Sequence, residues 1–199
     1  MVQPPPLPQD SVYTSCYCEE NIYLLVKTFL DDPSITSSWE PFVIFISNAT
    51  QSIALWNQKL SKTNELPVVW DYHVILVLRP RALSTEMSSW VYDYDTRLGM
   101  PISLKDYFAR TFSLDLPVQF QSFFRVVPGP VYIDNLASDR SHMLSSGTIP
   151  PEYPPLRGMR AIELGITHNL THYISMAPAA DQNIYGRVMY LYEILSSFI

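Results

Sequence analysis

Residues 68–78 constrain the fold more than any other stretch. They read Val-Val-Trp-Asp-Tyr-His-Val-Ile-Leu-Val-Leu, a β-branched and aromatic run with the signature of a strand. A second strand pattern covers 89–94, after a loop over 79–87 that opens with Arg79-Pro80-Arg81. Paired antiparallel about the loop centre, the two strands have facing residue numbers that sum to about 166, with facing Cβ atoms about 5 Å apart. His73 then faces Asp93, and a carboxylate beside an imidazole fixes its orientation and tautomer. Asp71 shares the strand face of His73, and Asp95 that of Asp93, because side chains alternate along a strand. Unpaired carboxylates are costly to bury, so this end of the ribbon is expected to line a cleft. Trp70 and Tyr72 fall on the opposite face and are expected to pack in the core.

The other elements follow from periodicity. Residues 19–30 place Ile22, Leu25, Val26 and Phe29 at helical spacing, with Glu19 and Glu20 in the first turn, where acids suit the helix dipole. Residues 42–47 read as a strand with 53–56 as its neighbour, and 123–127 as another. Ser103 is an N-cap for a helix over 104–112. Residues 145–160, rich in Pro, Gly and Ser, form a loop. From residue 185 onward, Val188, Leu191, Tyr192 and Leu195 fall on one helical face. Strands and helices without βαβ rhythm predict an α+β fold, with helices covering a largely antiparallel sheet. The 199 residues suit one domain, 13–199, behind a flexible or polyproline II lead-in over 1–12 that carries Pro4, Pro5, Pro6 and Pro8.

Charge and cysteine usage narrow the function. A net charge of −6 and a pI near 5.1 argue against nucleic acid as a partner. No apolar run approaches the roughly 20 residues that a membrane span needs. Cys16 and Cys18 are too close in sequence for an unstrained disulfide, and the N-terminus has no signal-peptide pattern. Two reduced thiols in the cytoplasm, with the nucleus as a further location, are the expectation.

Cys18 stands where the first helix begins. Backbone N–H groups and the helix dipole stabilise a thiolate there, so a lowered thiol pKa is expected. Cys16 lies in the approach segment and gains less. A zinc site would need Cys16 and Cys18 with His168 and His172, but the pairs lie about 150 positions apart and the cysteine spacing is wrong for zinc. No metal is expected, and His168 and His172 read as surface residues.

Four blocks then carry a resemblance: Ser15-Cys16-Tyr17-Cys18-Glu19-Glu20-Asn21-Ile22-Tyr23, Val69-Trp70-Asp71-Tyr72-His73-Val74, Tyr92-Asp93-Tyr94-Asp95-Thr96, and Asn135-Leu136-Ala137-Ser138-Asp139-Arg140-Ser141-His142-Met143. In this order they resemble the protein N-terminal glutamine amidohydrolase family. The resemblance implies a monomeric α-β-α layered fold, a papain- or transglutaminase-like triad of Cys18, His73 and Asp93, and no cofactor. It also implies proteins or peptides with a free N-terminal Gln as substrates. The product, an N-terminal Glu, would feed degradation that reads N-terminal residues. The chain departs from the family pattern in its hairpin loop, which is longer, and beyond Met143. Reading a free α-ammonium calls for a carboxylate, and Glu20, Asp71 and Asp139 are the candidates nearest these blocks. His142 is open to a role as second base or as structural donor. Two rival functions remain open: acyl transfer or peptide cleavage by the same thiol, and a module that only binds N-termini.

Overall fold

The structure, a computed structural model, describes residues 3–63, 65–81, 88–143, 147–177 and 185–198. Helix α1 (Cys18–Leu30) buries Ile22, Leu25, Val26 and Phe29, the face that the 3.6-residue spacing selects. The short α2 (Pro33–Thr36) starts at Asp32, whose carboxylate accepts the Ser34 N–H at 2.8 Å. β1 (Trp39–Ser47) is the expected 42–47 strand with an earlier start. β2 (Ile53–Leu55) pairs with β3 (Val68–Trp70) in a small separate ribbon, so the 53–56 segment is not the neighbour of β1. β4 (His73–Pro80), β5 (Trp90–Tyr92) and β6 (Ile102–Ser103) lead to α3 (Leu104–Thr111), where Ser103 accepts the Asp106 N–H at 3.1 Å as the expected cap. β7 (Phe123–Pro128) runs into α4 (Gly129–Asn135), and α5 (Met159–Glu163) and α6 (Leu170–Ile174) follow. β8 (Arg187–Met189) and α7 (Leu191–Phe198) are the last elements. Most of the 79–87 loop, at 82–87, and the start of the 145–160 loop lie outside the described residues.

Six strands form one sheet in the order β6-β5-β4-β1-β7-β8, with every neighbouring pair antiparallel. α1, α4 and α6 cover one face around Val26, Phe29, Phe45, Tyr132 and Tyr173. α3 and α7 cover the other around Tyr107, Phe108, Phe124 and Ile194. The fold is therefore α+β in three α-β-α layers. Because both faces are covered, β1 and β4 are apolar residue after residue instead of alternating with polar positions. Among the described residues no helix is long and apolar enough to cross a membrane.

Three expectations are corrected. The 68–78 run is two strands, because the chain bends at Asp71 and Tyr72 to pass from the small ribbon into the main sheet. Ser47 Oγ donates to the Asp71 carbonyl at 2.8 Å, and the Asp71 carboxylate accepts the Tyr72 N–H at 2.9 Å, which satisfies the bend. Asp71 is consequently exposed and does not share a strand face with His73. The β4–β5 register pairs Leu76 with Tyr92 and Val77 with Val91, two residues from the expected pairing. An even slip keeps each side chain on its expected face, so His73 and Asp93 stay on one side. The C-terminal stretch is not a single helix. Val188 belongs to β8, which pairs with the edge of β7, and α7 buries Ile194 and Phe198 while Tyr192 is 69% exposed.

The Pro-rich lead-in, expected as a loose tail, lies along the domain. Tyr92 donates its hydroxyl to the Pro5 carbonyl, and Leu7 packs against the core under α1.

Candidate active site

His73 is the first residue of β4 and is fully buried. Its Nε2 lies 2.8 Å from Asp93 Oδ1, at the point where the β4–β5 ladder has ended and the chain turns. Asp93 is held from several sides. Its Oδ1 also accepts the Asp95 N–H at 2.9 Å, and its Oδ2 accepts the Tyr107 hydroxyl at 2.8 Å and Gln58 Nε2 at 3.4 Å. Burial opposes the charged form of both partners, but their mutual attraction outweighs it. His73 is held above its ordinary pKa and Asp93 below its own. Trp70 stacks on the imidazole, with centroids 5.2 Å apart and planes at 24°. Trp70 is thus part of the site, because the bend at Asp71 returns its side chain over His73. The other ring nitrogen, Nδ1, is buried and makes no hydrogen bond among the described residues. It is the nitrogen left to exchange a proton with a nucleophile.

Cys18 is the first residue of α1 and 7% exposed. The Val74 N–H, one residue beyond His73, faces its sulfur. The start of the helix therefore lies against the start of β4, where His73 is the first residue. The first turn of α1 has no side-chain cap, which leaves backbone N–H groups there without a helical partner. The expected lowering of the thiol pKa is overturned. Burial pushes the Cys18 thiol well up, and Glu19 and Asp95 push it further, outweighing the Val74 N–H that pulls it down. Cys16 sits in a left-handed turn at φ 67 and is half-buried.

The three carboxylates nominated for the substrate ammonium are placed differently from one another. Glu20 is buried and gripped by Arg140 through two bonds of 2.8 Å, so neither oxygen is free. Asp139 pairs with His168 at 2.9 Å, which also makes His168 more than a bare surface residue. Asp71 stays exposed at the rim. Glu19, read from sequence only as a first-turn acid, is fully buried beside the nucleophile. Its Oε2 lies 3.8 Å from Cys18 Sγ and accepts the Tyr72 hydroxyl at 3.0 Å. His142 Nε2 stands 3.2 Å from the Tyr72 oxygen and 3.5 Å from Glu19 Oε1. Tyr72 therefore joins core packing to a polar contact at the site. Tyr107 and Gln58 were also missed. The signal for Tyr107 was its place on the apolar face of α3, since a buried phenol needs a partner for its hydroxyl.

His73, Asp93 and Asp95 are close enough to hold a cation, within 4.8 Å of one another. Their atoms are already committed, however: His73 to Asp93, and Asp95 Oδ1 to the Tyr13 hydroxyl at 2.7 Å.

A buried thiol, imidazole and carboxylate in this order suit acyl chemistry on many folds. Comparison with known proteins decides among them. A family model described as N-terminal glutamine amidase matches residues 13–198. The chain belongs to that family. Several relatives carry the name protein N-terminal glutamine amidohydrolase. One from Arabidopsis thaliana is 39% identical over 174 residues, covering 84% of this chain and 76% of its own. One from Danio rerio is 38% identical over 193 residues, covering 94% and 89%. One from Homo sapiens is 37% identical over 204 residues, covering 98% and 92%. The stretch that matches the N-terminal glutamine amidase family contains Cys18, His73, Asp93, Glu19 and His142, while the Pro-rich lead-in lies before it.

Proposed function

We propose that the chain hydrolyses the side-chain amide of an N-terminal glutamine to glutamate and ammonia, with Cys18 as nucleophile, His73 as acid and base, and Asp93 as its anchor. The observation that carries the reading is the Nε2 contact to Asp93, which leaves Nδ1 unbonded, with the Cys18 sulfur against the N–H of the neighbouring Val74. The Cys18 proton passes to His73 Nδ1 as the sulfur attacks the amide carbon. Backbone N–H groups in the first turn of α1, that of Cys18 among them, receive the oxyanion in this scheme, which the lack of a side-chain cap there supports. The imidazolium protonates the departing nitrogen, ammonia leaves, and a thioester remains. His73 then takes a proton from water, which attacks the thioester and frees both the glutamate and the thiol. No cofactor enters these steps. The family name supports the substrate, and a product with N-terminal Glu suits degradation that reads N-terminal residues. A monomer acting in the cytoplasm or nucleus fits a thiol that must stay reduced.

Ammonia release from peptides beginning with Gln, Asn or acetylated Gln, followed by mass spectrometry, tests the reading. The Gln peptide should lose ammonia and show the mass gain of amide-to-acid exchange, and Cys18→Ala should abolish both. Ammonia from the Cys18→Ala protein, or cross-linked or truncated products from the wild type, would sink it.

A further inference from the structure

A buried carboxylate with an oxygen left over is costly unless something cationic completes it. Glu19 is such a group. One of its oxygens, Oε2, takes the Tyr72 hydroxyl, while Oε1 is buried and has no hydrogen-bond partner among the described residues. The cation facing Oε1 is His142, at a loose 3.5 Å and itself partly exposed. In glutamine four bonds of about 1.5 Å separate the side-chain amide carbon from the α-nitrogen, a reach of about 5 Å at most. A carboxylate 3.8 Å from the sulfur lies within that reach when the sulfur is against the amide carbon.

We propose that Glu19 is the group that pairs with the substrate's α-ammonium, through the Oε1 that His142 Nε2 faces at 3.5 Å. The inference rests on the amidase reading above and makes Glu19 the residue that selects a free N-terminus. Asp95 is a poorer reader, since its Oδ1 is taken by Tyr13 and it lies with His73 and Asp93. Asp71 is exposed, where water screens its charge. Pairing would do more than bind. Glu19 is the first of the charges that push the Cys18 thiol up, after burial itself. An ammonium against Glu19 offsets that charge, so a free N-terminus eases ionisation of the thiol that attacks it. An acetylated or desamino substrate would bring the amide without this help.

The test compares two peptides that differ only at the first residue: one begins with Gln, the other with 4-carbamoylbutanoyl, which is glutamine without its α-amine. The wild type should favour the Gln peptide in kcat/KM on the order of 10²-fold or more, the scale of removing one partner of a buried charge pair. Glu19→Gln should bring the two substrates within about tenfold of each other, mostly through loss on the Gln peptide. Asp71→Asn and Asp95→Asn should keep the preference. Glu19→Asp, which keeps the charge but withdraws it by one methylene, should lower the preference severalfold and serves if Glu19→Gln does not fold. Unchanged preference in Glu19→Gln, equal loss on both peptides, or collapse of the preference in Asp71→Asn or Asp95→Asn would each overturn the proposal. A wild type that releases no ammonia from the Gln peptide would instead overturn the amidase reading.

Discussion

Glu19 and Glu20 are adjacent in sequence, yet one borders the sulfur and the other faces Arg140. About 100° of helix separates neighbouring residues, so a one-residue step decides which acid meets the nucleophile. Removing the charge of Glu19 should have a measurable effect without substrate. Since Glu19 helps raise the Cys18 thiol, Glu19→Gln should move the midpoint of iodoacetamide alkylation at Cys18 to lower pH. An unchanged or higher midpoint would show that burial alone sets the thiol. At this scale the sequence disclosed the residue types but not the contacts. The contact of His73 with Asp93 was legible because a ribbon keeps both on one side of the sheet, and the place of Cys18 because it starts a helix. The Glu19–Tyr72–His142 contacts were not, because His142 arrives from a turn far along the chain. The tie between Asp93 and Tyr107 spans only 14 residues, but helical spacing places Tyr107 on a face without naming its partner.

Elements were legible where one periodicity ruled. α1 and α3 follow their apolar spacing, α3 also its Ser103 cap, and β1 and β7 their β-branched runs. The 68–78 run failed as one strand because composition does not show that its two halves join different sheets. The C-terminal stretch failed because an edge strand of three residues is too short to show a period. What joins that stretch to the sheet is Arg125, buried on β7. Its guanidinium donates to the carbonyls of Ser175 at 3.0 Å, Ala177 at 3.1 Å and Tyr185 at 3.2 Å. Arg125→Met would fill the space but leave these carbonyls without their donor, at roughly 1–3 kcal/mol for each that stays dry. Urea denaturation should show a loss of more than about 2 kcal/mol, together with faster proteolysis near residue 177. A loss under about 0.5 kcal/mol, the range of an ordinary surface change, would mean that water replaces the guanidinium and that the fan of bonds does little for the fold.

Across the whole molecule the site draws on all three layers. Cys18 comes from the α1 layer, His73 from the sheet, and the Tyr107 that steadies Asp93 from the α3 layer. Catalysis and stability are therefore linked through one pair, and they favour opposite ends of the pH scale. His73 is held above its ordinary pKa, so its share of stability is full below the unfolded value and is lost as pH rises through the folded one. Asp93 is held below its ordinary value, so its share is present above the unfolded carboxylate range and is lost as pH falls through the folded value. The pair stabilises most between about pH 4 and 6.5. The proposed mechanism needs the reverse, since a protonated His73 with a protonated thiol has no base, and on that mechanism turnover should rise as pH climbs past the raised His73 value. Asp93→Asn separates the two effects. It removes the partner that raises His73, leaving burial to lower it, so the acid limb of kcat/KM should move to lower pH while kcat falls on the order of 10³- to 10⁴-fold. Urea midpoints of wild type and Asp93→Asn should differ most near pH 5.5 and converge as pH rises through the folded His73 value. A gap that stayed constant from pH 5 to 9 would mean that the pair holds the fold by shape alone, and that His73 enters catalysis without the charge that Asp93 lends it.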